Sequence, residues 1–189
     1  FQDYDGDGDL DLFLLTNRLF RPGGRPKEPP FQRGADGRPE VLPEFQKYFA
    51  LRLAGKGPKG EPLFKLDAAG LRNHLFRNDG IRFTDVSEEV GLTHRGHGLS
   101  ALWWDYDHDG DPDLYVANDH NDPDHLYRND DGVFTDVIRD VFPNTAWFSM
   151  GSDLADLDAN GREDLFTLDM SGTDHYRQKT TMGAMSSRR

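Results

Sequence analysis

Residues 125–141 read HLYRNDDGVFTDVIRDV, and 51 positions earlier residues 74–90 read HLFRNDGIRFTDVSEEV. Ten of the seventeen aligned positions are identical. A second marker keeps the same period: DYDHDGDPD begins at Asp105 and DLDANGRED at Asp156, with a further copy, DYDGDGDLD, at Asp3. Two independent markers sharing one spacing define a repeat of 51 residues. A fixed period of that length points to a propeller or an array rather than to one irregular core.

Working outward from residue 125, the second copy parses into four short runs rich in β-branched and aromatic residues: GLSALWW (98–104), DLYVAN (113–118), HLYRN (125–129) and VFTDVI (133–138). Asp, Asn, Gly and Pro fill the gaps between them, as strand boundaries require. Four strands per repeat is the pattern of a propeller blade. Trp103 and Trp104 fall on successive strand positions, so at least one is expected to face a neighbouring blade and both are expected in the core.

The first copy is stretched. Its aspartate motif precedes HLFRN by 71 residues (3 to 74), against 20 in the second copy (105 to 125). Near residue 54, where a hidden aspartate loop would fall, LAGKGPKG offers no carboxylate. Residues 18–72 are therefore read as an insertion within the first blade, the alternative being a degenerate blade. They carry twelve Lys and Arg against six Asp and Glu, although the chain as a whole has a net charge of −12. Pro and Gly predict mostly loop here, and Phe45, Tyr48, Phe49 and Leu53 in PEFQKYFALRLAG (43–55) predict one short helix.

Composition sets the outer limits. The 189 residues are 35% hydrophobic and 12% aromatic, enough for a folded core, while a mean hydropathy of −0.77 marks a polar, loop-rich chain. No apolar run reaches the eighteen residues a membrane helix needs. The absence of Cys excludes disulfides and thiolate metal sites. An acidic body would repel phosphate, so nucleic acid is not an expected partner. The chain opens on Phe1 and runs at once into an aspartate motif, which reads as a piece of a longer protein, residues 1–189 forming a propeller fragment.

The aspartate motif holds like charges that resist being brought together. Two carboxylates about 5 Å apart repel by roughly 0.8 kcal/mol in water, and by more at lower dielectric. In D-x-D-x-D-G-x-x-D, oxygens at positions 1, 3, 5 and 9 with a backbone carbonyl at 7 can wrap one hard cation. The expected ligand sets are Asp3, Asp5, Asp7 and Asp11 with the Asp9 carbonyl; Asp105, Asp107, Asp109 and Asp113 with the Asp111 carbonyl; and Asp156, Asp158, Asn160 and Asp164 with the Arg162 carbonyl. Gly8, Gly110 and Gly161 at position 6 are read as places where a side chain would clash in a sharp turn. An oxygen-rich flexible loop favours Ca2+ over Mg2+, so up to three Ca2+ are expected, the third site weakest because Asn160 and Arg162 lower its negative charge. An EF-hand is excluded, because position 12 is Leu14, Val116 and Thr167 rather than Glu, and the loops lead into strands.

On DYDHDGDPDLYVAN, the paired HLYRND and FTDV segments, and WFSMGSDLADLDANG, the chain resembles the FG-GAP/VCBS repeat family of calcium-binding propellers, and within it the cartilage acidic protein-like (ASPIC/UnbV-associated) branch. The resemblance covers Asp3 to about Asp169 apart from the insertion, and implies that each aspartate loop joins the first two strands of a blade and holds Ca2+. Strict Phe-Gly and Gly-Ala-Pro motifs are absent, Phe148 and Gly151 being only a loose echo. The FTDV pattern is also lost past Asp169.

No other constellation competes. There is no G-x-S-x-G elbow and no phosphate loop opening a helix. An acid pair for glycoside hydrolysis stays open on so aspartate-rich a chain, although the loops already use nearly every clustered aspartate. His94 and His97 have no third ligand nearby in the sequence and are expected to be structural or exposed, while His120 and His125 are expected to support a turn. The basic insertion is expected to neutralise the acidic body rather than bind a polyanion or partner.

The expectation is thus an all-β partial propeller, about two four-stranded blades and part of a third, with structural Ca2+ and no catalysis. Weak sites, at about 10⁻⁴–10⁻³ M, would fill only where calcium is abundant, so an extracellular, cell-surface or periplasmic setting is expected. The expected role is recognition or adhesion, with a protein or glycan ligand and neighbouring blades of the parent chain as partners. The alternative is a catalytic or non-catalytic propeller part of a secreted polysaccharide-active enzyme.

Overall fold

The computed structural model describes residues 1–24, 26–119 and 122–170. The strands in chain order begin β1 (Leu12–Leu14), β2 (Phe31–Arg33), β3 (Pro39–Val41), β4 (Phe49–Lys56), β5 (Pro62–Ala68), β6 (Leu71–Arg72), β7 (His74–Asn78) and β8 (Phe83–Asp85). They continue with β9 (Arg95–Gly96), β10 (Gly98–Trp104), β11 (Asp113–Asn118), β12 (His125–Asp130), β13 (Val133–Asp136), β14 (Ser149–Ala155) and β15 (Asp164–Asp169). One turn of helix, α1 (Ile138–Val141), precedes β14. The chain divides into two compact units, one of Phe1–Thr16 with the chain from Arg72 onward, the other of Asn17–Leu71.

The first unit is a partial β-propeller. β10-β11-β12-β13 form a four-stranded antiparallel meander, in the order the sequence predicts. The β12–β13 turn closes on Asp131 and Gly132, both at positive φ (51° and 85°), the hand that matches the twist of a tight hairpin. Every residue of β11 is buried. Leu114 and Val116 face one cluster with Tyr4, Leu75 and Phe134, while Tyr115 and Ala117 face another with Leu126 and Ile138. That alternation follows from the two-residue period of a strand. Each fully buried Leu contributes about 1.5–3 kcal/mol relative to exposure.

β1-β7-β8 form the first sheet and β14-β15 the third. β1 and β7 are hydrogen-bonded neighbours, with Leu12 opposite Phe76 and Leu14 opposite His74, although residues 17–71 lie between them in the chain. Trp103 meets Phe13 of the first sheet edge to face at 6.2 Å, and Trp104 packs in the cluster that Leu165 of the third sheet joins. Both tryptophans are half-buried and pack against the core clusters, and Trp103 meets a neighbouring blade. Gly98 is needed for a close approach: a Cβ there would stand 2.4 Å from Leu15 Cδ1 and 2.8 Å from the Thr16 carbonyl. The same strand irregularity follows at Gly98/Ser100 and Ser149/Gly151, one repeat apart.

Two expectations are corrected. The strand read over 133–138 ends at Asp136, because Ile138 turns into α1 with its N–H on Asp136 Oδ1 and its side chain in the core. In the Asn17–Leu71 unit, the expected loop and helix are mainly two hairpins, β2-β3 and β4-β5. Among the described residues of this unit, only Pro43–Phe45 is helical, as a single 3-10 turn. The apolar residues at helical spacing also include Phe49, Leu51 and Leu53 at strand spacing. The turn at Gly57 to Gly60 lets that run pair with β5, Leu51 opposite Leu66 and Leu53 opposite Phe64. His120 and the region past residue 170 lie outside the described residues.

Candidate metal centre

Each aspartate loop sits between two antiparallel strands or bridges that hold its ends together. Trp104 pairs with Asp113, Ala155 with Asp164, and Gln2 with Asp11. Within each loop the carboxylates of positions 1, 3 and 9 converge: Asp3, Asp5 and Asp11; Asp105, Asp107 and Asp113; Asp156, Asp158 and Asp164. In every trio the ligand atoms lie within 4.8 Å of one another. The sequence-read ligands Asp7 and Asp109 do not join these groups.

Position 5 has another task in all three loops. One oxygen each of Asp7, Asp109 and Asn160 accepts the backbone N–H of position 7 (Asp9, Asp111 and Arg162) at 2.9 Å. The Asp111 carboxylate itself accepts the N–H of Asp131 in the β12–β13 turn at 2.9 Å.

Position 9 is the buried anchor. Asp11 and Asp113 are fully buried. Asp113 accepts N–H groups from Tyr106 (3.0 Å) and from Asn129 on β12 (2.8 Å). Asp11 repeats this with Tyr4 (3.2 Å) and Asn78 on β7 (2.8 Å). Asp164 accepts from Leu157 at 2.9 Å. Burial pushes the Asp113 carboxyl up to about 6 against the pull of those two N–H groups, and Asp107 and Asp109 push the same way. Burial, and after it Asp7 and Asp11, also raises Asp5. These carboxylates are short of positive charge.

Position 1 separates the second loop from the others. Asp3 accepts from the N–H of Asp7 (3.1 Å) and Gly8 (3.0 Å), and Asp156 from Asn160 (2.9 Å) and Gly161 (2.8 Å). Asp105 Oδ1 is buried with no hydrogen-bond partner. A buried carboxylate oxygen left without a donor costs about 1–3 kcal/mol or more. An oxygen in that state, on a carboxylate grouped with those of Asp107 and Asp113, fits a cation, and the all-oxygen donor set fits Ca2+.

The position-6 glycines do not relieve the side-chain clash that the motif suggests. A Cβ on Gly8, Gly110 or Gly161 would meet nothing within 4 Å. Glycine is favoured there because φ is +95°, +100° and +85°, beyond the left-handed region that other residues visit. Position 4 is left-handed too, at Gly6 (72°), His108 (61°) and Ala159 (58°), which the motif does not announce.

Two further polar groups escaped the sequence reading. Asp124, fully buried, accepts from the Asn118 N–H, the Tyr115 hydroxyl and the Ser149 hydroxyl, each at 2.7 Å. Its first-repeat counterpart Asn73 takes the Thr16 N–H at 2.8 Å. The signal was the residue before each HL, Asn in one copy and Asp in the other.

The second concerns the histidines. His97 is buried and bonded to Asp122. His94, expected to have no third ligand near, stacks on His125 with ring centres 4.4 Å apart and joins His125 and Asp136 in a fourth group of metal-capable side chains. Burial, then His125 alongside, holds His94 below the usual imidazole range. Burial would raise Asp136, but hydrogen bonds from His125 and the Ile138 N–H outweigh it and keep the group low.

Residues 105–167, a third of the chain, match the FG-GAP-like repeat. The matched stretch runs from the second aspartate loop through the third and supports the FG-GAP repeat family and a propeller module. No curated protein and no solved structure gives a significant match. Among the described residues no helix is long and apolar enough to cross a membrane.

Proposed function

We propose that the chain is a calcium-binding propeller module whose aspartate loops hold structural Ca2+ and whose blades present a recognition or adhesion surface for a protein or glycan. The observation that carries this reading is Asp105 Oδ1, buried without a donor beside Asp107 and Asp113. The other two loops support it by repeating the same trio of carboxylates. Asp105, Asp107 and Asp113 would hold the ion in the second loop, Asp3, Asp5 and Asp11 in the first, and Asp156, Asp158 and Asp164 in the third. Asp7, Asp109 and Asn160 keep an oxygen on the position-7 N–H and shape the turn. Bound Ca2+ supplies the positive charge that offsets carboxylate repulsion and burial. The protein's own part is to hold the carboxylates together from two paired strands.

In this reading the module is non-catalytic, works as part of a longer chain with further blades, and belongs to an extracellular, cell-surface or periplasmic protein of the cartilage acidic protein-like branch. The test is a calorimetric Ca2+ titration of the chelator-stripped chain with melting curves in Ca2+ and in EDTA. Two or three sites with a rise in Tm are expected. A folded chain showing neither heat nor shift would reduce the loops to acidic turns.

A further inference from the structure

His94, His125 and Asp136 gather at the end of β12 away from the second aspartate loop. His125 opens the strand, whereas Asn129, four residues on, is the one that reaches Asp113. We propose that these three side chains form a separate binding site for a transition cation, Zn2+ in the first instance. The donors are two imidazoles and one carboxylate, a set that suits Zn2+, Co2+ or Ni2+ and not the oxygen-seeking Ca2+ of the loops.

The distances are those of a site close to closing. His125 Nδ1 stands 2.8 Å from Asp136 Oδ2, and His94 Nε2 stands 4.0 Å from the same oxygen. Ligands about 2.1 Å from a tetrahedral Zn2+ are about 3.4 Å apart, so the two spacings bracket the required one. Surrounding groups aim the donors as outer partners of metal ligands do. The Ile138 N–H holds Asp136 Oδ1 at 3.2 Å, which leaves Oδ2 to the histidines. The Tyr127 hydroxyl meets His94 Nδ1 at 3.2 Å, which leaves Nε2 towards Asp136. His125 and Asp136 are mostly buried, with side chains 7% and 20% exposed, and His94 at 48% exposed forms the open wall. His94 is thus the ligand free to turn onto the ion, and water can complete the shell.

The first blade provides an internal comparison. His74 Nδ1 and Asp85 Oδ2 repeat the 2.8 Å pair, but among the described residues no second histidine joins them. The His–Asp pair alone is a recurrent feature of the blade, and His94 is what converts the second copy into a three-donor group. Metal entry at His125 Nδ1 takes the place of its hydrogen bond to Asp136 Oδ2, and the neutral imidazole's single proton passes by way of solvent to Nε2, where it stays while Nδ1 holds the ion.

The experiment titrates Zn2+ calorimetrically, and Co2+ by visible absorption, into the whole chain in excess Ca2+, so that the aspartate loops are already engaged. One Zn2+ per chain and a nitrogen-influenced Co2+ spectrum are expected. His94→Ala, at an exposed position, and Asp136→Asn, which preserves the acceptor for Ile138, are each expected to weaken Zn2+ at least tenfold. His74→Ala leaves it unchanged. Zn2+ uptake that His94→Ala does not weaken, or no uptake by the folded wild-type chain, overturns the proposal. Both results are independent of whether the loops take Ca2+.

Discussion

The side-chain amide of Asn129 donates to the backbone carbonyl of Tyr4 at 2.8 Å, although 125 residues separate them. The Asn129 N–H goes to Asp113, and the Tyr4 N–H goes to Asp11. The buried aspartates of the first and second loops are thereby joined through one asparagine and the backbone of one tyrosine. Tyr4 also packs its ring 5.9 Å from Phe134 on β13. The first loop therefore rests on the hairpin of the second blade, and the two candidate ion sites share a scaffold.

Asn129→Ala takes the side-chain partner from three backbone groups: the Tyr4 carbonyl and the Gly132 N–H, both in buried bonds, and the half-buried Pro112 carbonyl. A loss of about 2–4 kcal/mol is expected in urea unfolding. Asn78→Ala, whose side chain among the described residues bonds within its own blade to Leu10 and Gly80, is expected to cost about 1 kcal/mol. Equal costs would mean that Asn129 does not tie blade to blade.

Asp107 is exposed, belongs to the second trio and accepts no hydrogen bond among the described residues. Asp107→Ala should leave the stability in EDTA within about 0.5 kcal/mol of wild type and remove much of the rise in Tm that Ca2+ gives. Asp113→Ala should differ in kind, destabilising the chain in EDTA as well, because Tyr106 and Asn129 lose their acceptor. Calcium-dependent stabilisation unchanged by Asp107→Ala would remove Asp107 from the ligand set.

Repeat length, strand order and the positions of the aspartate loops were legible because each depends on local pattern: the two-residue alternation of Leu114 to Ala117, or Asp131-Gly132 at a tight turn. The division of labour within the loop was not. Aspartates at positions 5 and 9 look alike in sequence, yet Asp109 serves a turn and Asp113 is an interior anchor, a distinction set by where β12 lies. Residues 43–55 misled because their apolar residues satisfy both periods, and the hairpin partner that decides between them lies beyond a glycine-rich turn. His94 meets His125 and Asp136 only through tertiary structure, which no spacing encodes.

At position 6 the demand is conformational rather than steric. Gly110→Ala places a side chain at φ +100° and is expected to cost about 1–3 kcal/mol with no clash to relieve. His108→Asn, at φ 61°, should be neutral within about 0.5 kcal/mol, since Asn tolerates that region. Thermal unfolding of both variants in EDTA separates backbone strain from ion binding. A neutral Gly110→Ala would show that the loop can adopt another turn.

Asp113 links pH to calcium. Its carboxyl, raised by burial to about 6 from an ordinary value of 3.8, holds a proton more tightly in the folded chain than in the unfolded one. Its contribution to stability is therefore full below about pH 4 and is lost as pH rises through about 6. Asp85, held down to about 2 by the Ser87 hydroxyl and by His74, works in the opposite sense, but its contribution fades only as pH falls from about 4 towards 2. His94, held low, favours the folded chain as pH rises towards the usual imidazole range, with or without Ca2+. The difference between Ca2+ and EDTA isolates the loops. A cation binds the ionised Asp113 and offsets the cost of its burial, so the Tm difference should be small at pH 4 and grow to a plateau above about pH 6. A calcium effect of equal size at pH 4 and pH 7 would mean that the ion, if bound, does not engage the buried aspartate.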